Sequence, residues 1–249
     1  MPRALALSPH LDDAAFSCGG TLAALARDGW EVTVVTAFTR SVPDPTGFAL
    51  ACQLDKGLPL EVDYMALRRA EDAEACARLG ARAAWLDFPE APHRGYPDAR
   101  ALFAAPRAED AVAAPLARAV AGLLDPAPDL LLAPQAIGGH VDHVRLVEAI
   151  LAVLPVGLPV GLPVLWWTDF PYAARPLREA ARPFAAAMAD WPEHRAEGDA
   201  AARLAACAAY ATQLGFQFGG EAGLRRALDE AGPVERFRAQ GAVPPGVAA

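Results

Sequence analysis

Four short apolar segments, each followed by a polar or glycine-bearing turn and then by helically spaced residues, constrain this chain more than any other feature. Residues 4–8 read as a buried first strand. Residues 31–37 read as a second, β-branched one, introduced by Gly29. Residues 82–86 and 130–133 supply a third and a fourth, with helices expected over 21–28, 66–79, 111–124 and 143–153. Strands that alternate with helices build a parallel sheet covered on both faces. The expected fold is therefore α/β, with a Rossmann-like, mostly parallel sheet flanked by helices.

Beyond residue 153 the pattern changes. Prolines recur every four residues through 154–164, which reads as a connector ending in a strand at 164–167. Further helices are expected over 177–188, 199–214 and 221–231, making the C-terminal third helix-rich, before a Pro/Gly/Ala tail expected to fray. Residues 38–63 and 88–107 lack a period and carry several prolines and glycines, so both are expected as long loops with a functional part. A chain of 249 residues buries a full core, and one domain over 1–249 is the expectation.

Composition excludes several function classes. No apolar run approaches the roughly 20 residues that span a bilayer. The apolar part of the N-terminus is too short for a signal peptide, so the expected compartment is the cytoplasm. The net charge of −8 and the lack of a basic cluster disfavour a nucleic-acid partner. Four cysteines, Cys18, Cys52, Cys76 and Cys207, form no CxxC pair; they are expected reduced, with no structural zinc site.

Two motifs carry chemistry. The first, Ser8-Pro9-His10-Leu11-Asp12-Asp13, follows strand one, where open α/β sheets gather ligands. His10 and Asp13 can converge on one cation across a single turn, with Asp12 pointing elsewhere; the alternative is that the two acids simply cap the next helix. The second, Gly138-Gly139-His140-Val141-Asp142-His143, follows strand four at a helix start, and two histidines flanking an acid are hard to explain as packing. Together the motifs supply a His, an Asp and a His for zinc, with a fourth position open, which is the arrangement of catalytic zinc. Fe(II) also suits such a donor set. A dinucleotide-binding turn would need glycines where His10-Leu11-Asp12-Asp13 stands.

These motifs resemble those of the LmbE-like or PIG-L deacetylases, which hydrolyse N-acetylglucosamine conjugates: His-Pro-Asp-Asp there against His10-Leu11-Asp12-Asp13, and His-Pro-Asp-His against His140-Val141-Asp142-His143. Arg68-Arg69-Ala70-Glu71 and the Leu79-Gly80 helix end are similar too, and the resemblance covers about residues 4–150. It implies a zinc-dependent N-deacetylase with the metal on His10, Asp13 and His143 and with Asp12 as general base. His140 would stabilise the oxyanion or protonate the amine, with Asp142 orienting it. It also implies substrate contacts from Arg68, Glu90 and Arg94 and a small amino-sugar conjugate as substrate; a homo-oligomer is open. For Arg68 the alternative is an exposed helix arginine paired with Glu71 or Asp72. Leu11 and Val141 replace the family's prolines, and Ala14 stands where many members carry Glu. Two rival functions remain: an amidase of a thiol-sugar conjugate using the same zinc site, and an inactive metal-bearing sugar-binding protein.

Overall fold

The computed structural model describes residues 1–154, 161–173, 181–244 and 247. Its elements run β1 (Arg3–Ser8), α1 (Asp13–Arg27), β2 (Glu31–Thr36), α2 (Gly47–Leu54), α3 (Tyr64–Arg78), β3 (Arg82–Trp85), α4 (Ala113–Leu123), β4 (Leu130–Pro134), α5 (Val141–Val153) and β5 (Val164–Trp167). Then come β6 (Glu193–Glu197), α6 (Ala200–Cys207), α7 (Ala211–Phe218), α8 (Glu221–Ala231) and β7 (Val234–Gln240). The sheet order is β3-β2-β1-β4-β5-β7-β6, the first five strands parallel and β7 and β6 added antiparallel.

This is the expected α/β sheet, and its strand order decides where a site can form. β1 leads outward to β2 and β3 on one side, and the chain returns to place β4 and β5 on the other. Connections leaving β1 and β4 therefore diverge to opposite faces, opening a crevice at their carboxyl ends. Alternation along the strands feeds two cores. Ala4, Ala6, Leu130 and Leu132 face the side covered by α1, α3 and α6 to α8; Leu5, Leu7, Leu131 and Ala133 face α4 and α5.

Several boundaries differ from expectation. Helix α1 begins at Asp13 rather than near residue 21, but it breaks at Cys18, whose φ of −143° is non-helical. The amides exposed by the break, Gly20 N and Thr21 N, donate to Glu235 on β7 at 2.9 and 2.7 Å, so a carboxylate from the last strand caps the second half of the helix. The stretch expected as loop 38–63 contains α2. The helix expected over 199–214 divides into α6 and α7, residues 193–197 form a strand that was not expected, and residues 234–240 are a strand rather than part of a fraying tail. Residues 181–190 form turns instead of the second half of a helix, with Pro183 steering Arg182 out of helical geometry; residues 177–180, and 155–160 of the proline-spaced connector, lie outside the described residues. Among the described residues no helix is long and apolar enough to cross a membrane, and the four cysteines are free.

Candidate metal centre and active site

The turn after β1 is held by its own residues. Ser8 Oγ donates to the His10 carbonyl at 2.7 Å and accepts from Ala14 N at 3.2 Å, folding residues 8–14 into a compact loop. Asp12 pays for that compactness with φ 146°, a left-handed value costly for any residue with a Cβ. Asp13 then opens α1, where its negative charge meets the positive helix end. After β4, Ala136, Gly138 and Gly139 all take positive φ and bring the chain to α5. A Cβ on Gly138 would lie 2.9 Å from the Tyr172 ring, which packs 5.4 Å from His143.

Both turns meet at the β1/β4 crevice. Asp13 Oδ2 lies 3.2 Å from His10 Nδ1 and 3.1 Å from His143 Nε2. The far nitrogen of each ring is held by another carboxylate: His10 Nε2 by Asp142 Oδ2 at 3.0 Å, His143 Nδ1 by Asp169 Oδ1 at 3.0 Å. With those nitrogens donating outward, the two inward nitrogens present lone pairs to a carboxylate oxygen. Three acceptors share such a space only around a cation, protons or a metal ion. Two ligand atoms about 2.1 Å from one ion at 90–110° stand about 3.0–3.4 Å apart, which matches both separations. His143 Nε2 is also buried without a hydrogen-bond partner among the described residues. The donor set fits a metal. A carboxylate behind each ligating imidazole is the usual support for such a centre. His10, His140 and His143 also form a group able to hold a metal, their donor atoms lying within 4.8 Å of one another; His140 is the ring tethered from outside, since its Nδ1 accepts from Asp142 N at 3.2 Å.

Without a metal, charge in the site is carried by the rings. Burial lowers the His143 pKa, but Asp13 and Asp169 outweigh it and lift it to about 9. His10 is raised well above its ordinary value, burial again being outweighed by Asp13 and Asp142. Asp13 and Asp142 are held well below the usual carboxylate range; burial opposes this, and the facing histidines, with Arg94 for Asp142, prevail. His140 is pushed down to about 3 by burial and by the His10 charge, so its ring is neutral. Asp12 is raised to about 7, chiefly by burial and then by Asp13, with Arg68 pulling the other way.

The remaining sequence candidates take specific places. Asp142 does not orient the His140 ring through its carboxylate: as the second residue of α5 it offers His140 only its amide, while the carboxylate serves His10. Arg68 is buried at 4% exposure, not exposed beside Glu71 or Asp72. Its guanidinium binds Glu90, the Leu11 carbonyl at 3.1 Å and, at 3.7 Å, Asp12 Oδ2. Glu90 and Arg68 both line the cleft. Arg94 lies behind the site instead, paired with Asp142 Oδ1 at 2.8 Å and with Asp110 through two 3.0 Å bonds, so its guanidinium is committed to these carboxylates. Trp166 and Trp167 are fully buried core residues.

Sequence reasoning passed over two contributors. Asp169 sits just beyond β5 and, besides His143, accepts from Gln135 N and Ile137 N at 3.1 and 2.9 Å. Its position past a strand's carboxyl end was the available signal. Gln217 on α7 donates to Asp12 Oδ2 at 3.3 Å, a contact across 205 positions that no local pattern announces.

A family model described as PIG-L, GlcNAc-PI de-N-acetylase, matches residues 5–154. The chain belongs to the PIG-L family. A 2'-N-acetylparomamine deacetylase of Streptomyces fradiae is 38% identical over 188 residues, covering 72% of this chain and 63% of that protein, so this chain spans just under two-thirds of its length. Among solved structures, the zinc-inhibited form of the teicoplanin deacetylase Orf2 superposes with a TM-score of 0.78 at 26% identity, covering 96% of this chain and 98% of that one. The A40926 pseudoaglycone deacetylase Dbv21 gives 0.75 at 29% identity, with 98% and 99% covered. The PIG-L match ends at the close of α5, so β5 to β7 and α6 to α8, including Gln217 of the cleft, lie beyond it.

Proposed function

We propose that this PIG-L chain is a zinc-dependent hydrolase that removes the N-acetyl group from an N-acetylglucosamine-type sugar in a small conjugate. The observation that carries the reading is the inward-facing acceptor set of His10 Nδ1, Asp13 Oδ2 and His143 Nε2 beside a strained, buried Asp12. Deacetylase relatives on the same fold support it. Zinc on those three residues would polarise the acetamide carbonyl and bring the pKa of a water toward about 7; Fe(II) is the other metal such donors accept.

The protein's own groups then divide the work. Asp12, buried beside the metal ligands and facing the cleft, is placed to take a proton from the attacking water and return it to the departing amine. Arg68 and Gln217 fix its carboxylate from two sides. His140 is neutral, and because its Nδ1 accepts from Asp142 N its proton sits on Nε2, which makes it a donor for the oxyanion that develops on the acetyl carbonyl oxygen. Arg94 acts at one remove, holding Asp142 ionised behind His10.

The test is acetate release from a panel of N-acetylglucosamine compounds, with bound metal quantified and Asp12→Asn as control. Release by the wild type that drops about a hundredfold or more in the mutant supports the general-base assignment. Near-normal turnover by a metal-loaded mutant would refute it. Silence across the panel in metal-loaded protein would transfer the reading to an amide with a larger acyl group.

A further inference from the structure

Lys56 is the single lysine in a sequence with 22 basic residues, all the others being arginine. It stands just after α2 and lines the same cleft as His10, Asp12 and His140. Its Nζ donates to the Cys52 carbonyl at 3.0 Å and lies 4.8 Å from the Phe216 ring centroid and 5.5 Å from that of Tyr64. No carboxylate oxygen of the described residues comes within 4.0 Å of it. The acids that share the cleft are engaged elsewhere: Glu90 by Arg68, Asp142 by Arg94 and His10, Asp13 by His10 and His143, and Asp12 by Arg68 and Gln217.

An ammonium has three donors, and one is spent on Cys52. Half-buried between two aromatic faces, the charge is poorly screened, and burial with the neighbouring Arg68 lowers its pKa. The chain therefore holds a cation at the cleft mouth at some cost, with open donors, Glu90 and Asp55 acting on it only from beyond ion-pair distance. Phe216, 61% exposed, extends the same wall into solvent and leaves the approach open. An ammonium is a compact point charge that accepts an anion of varied geometry, where arginine's planar fork would select one.

We infer that Lys56 receives an anionic group, a carboxylate or a phosphate, on the aglycone of the substrate, and so selects acidic conjugates over neutral and amine-bearing ones. This rests on the deacetylase reading and adds the substrate class to it.

The test uses four N-acetylglucosaminides that differ only at the end of a short linker: carboxylate, phosphate, amide and amine. Metal-loaded wild type should turn over one of the anionic glycosides at least about tenfold better in kcat/KM than the amide, chiefly through KM, with the amine lowest. Whichever anion leads identifies the source. In Lys56→Met the anion-to-amide ratio should collapse to about one, and Lys56→Arg should keep the anion-first order. Calorimetric binding of the same compounds gives a readout independent of turnover. Charge-dependent binding that Lys56→Met abolishes, without acetate release, would fault the hydrolytic reading and keep the anion site. Equal handling of anionic and neutral glycosides by the wild type in both assays, or a preference that survives in Lys56→Met, would overturn it.

Discussion

Replacing Asp169 by Asn tests whether the metal reading of this site is right, because the change is nearly isosteric and its consequence is a matter of one proton. Asp169 Oδ2 accepts from Gln135 N and Ile137 N, so an asparagine is oriented by those two donors to place its oxygen there and its amide nitrogen opposite His143 Nδ1. His143 Nδ1 must then accept rather than donate, which moves the ring proton to Nε2, the atom that faces Asp13. A protonated Nε2 cannot bind a cation. Loss of such a supporting carboxylate weakens metal affinity by about 10–100-fold, or about 1.4–2.7 kcal/mol. Competition with a chromogenic chelator measures this directly. Thermal melts of metal-free wild type and Asp169→Asn, the mutant lower by the lost His143 ion pair but still cooperative, separate it from misfolding. Affinity within twofold of wild type in a folded mutant would refute the assignment of His143 Nε2 as a ligand atom.

Two further outcomes follow from buried charges outside the metal centre. Glu235→Ala strands Gly20 N and Thr21 N at the break in α1 and leaves Arg203, 3.4 Å away, without its partner; urea unfolding should show a loss of about 3–5 kcal/mol, and a loss under about 1 would mean the break needs no cap. Asp110 is buried, and burial raises its pKa, but the Arg94 guanidinium and the Tyr96 hydroxyl outweigh this and hold it below the usual carboxylate value. A depressed folded pKa means that its stability is present above the unfolded value near 3.9 and is lost as pH falls through the folded one. Asp110→Asn should therefore lower stability at pH 7, with the gap to wild type narrowing as pH falls below about 4; a gap independent of pH would show that the ion pair is not its source.

The parallel half of the sheet was legible because its strands are apolar on both faces, so β1, β2 and β4 announce themselves as short hydrophobic runs. The antiparallel edge was not. β7 does alternate, with Glu235, Phe237 and Ala239 inward, but one of its buried positions is a glutamate whose reason for burial lies in a helix break more than 200 residues earlier. β6 carries mostly polar residues and pairs only with β7, so nothing local marks it as sheet. Helix α1 was read late for a related reason: Gly19-Gly20 looks like a start, and the structure does break at Cys18, but the turn before it is helical because Asp12 O accepts from Phe16 N.

The site divides along the same line. Residues that face the cleft come from two contiguous motifs, since a strand end and the turn after it deliver them together, and spacing alone brings His10, Asp13 and His143 into consideration. What holds them comes from elsewhere: Asp169 from β5's end behind His143, Arg94 from the loop after β3 behind Asp142, Gln217 from α7 beside Asp12. A ligand must have a particular chemistry, so it is visible as a residue type. A supporting residue need only offer one correctly placed donor or acceptor, and many types and positions satisfy that. Of the two arginines expected as substrate contacts, Arg94 is committed to Asp142 and Asp110 behind the site, while Arg68 lines the cleft beside Asp12 and Glu90. Buried guanidiniums beside carboxylates look like ligand-binding groups in a sequence, and only geometry reveals that the carboxylates they serve are the protein's own. Lys56, overlooked in a stretch expected to be loop, is the converse case: a cation with no carboxylate oxygen of the described residues within 4.0 Å.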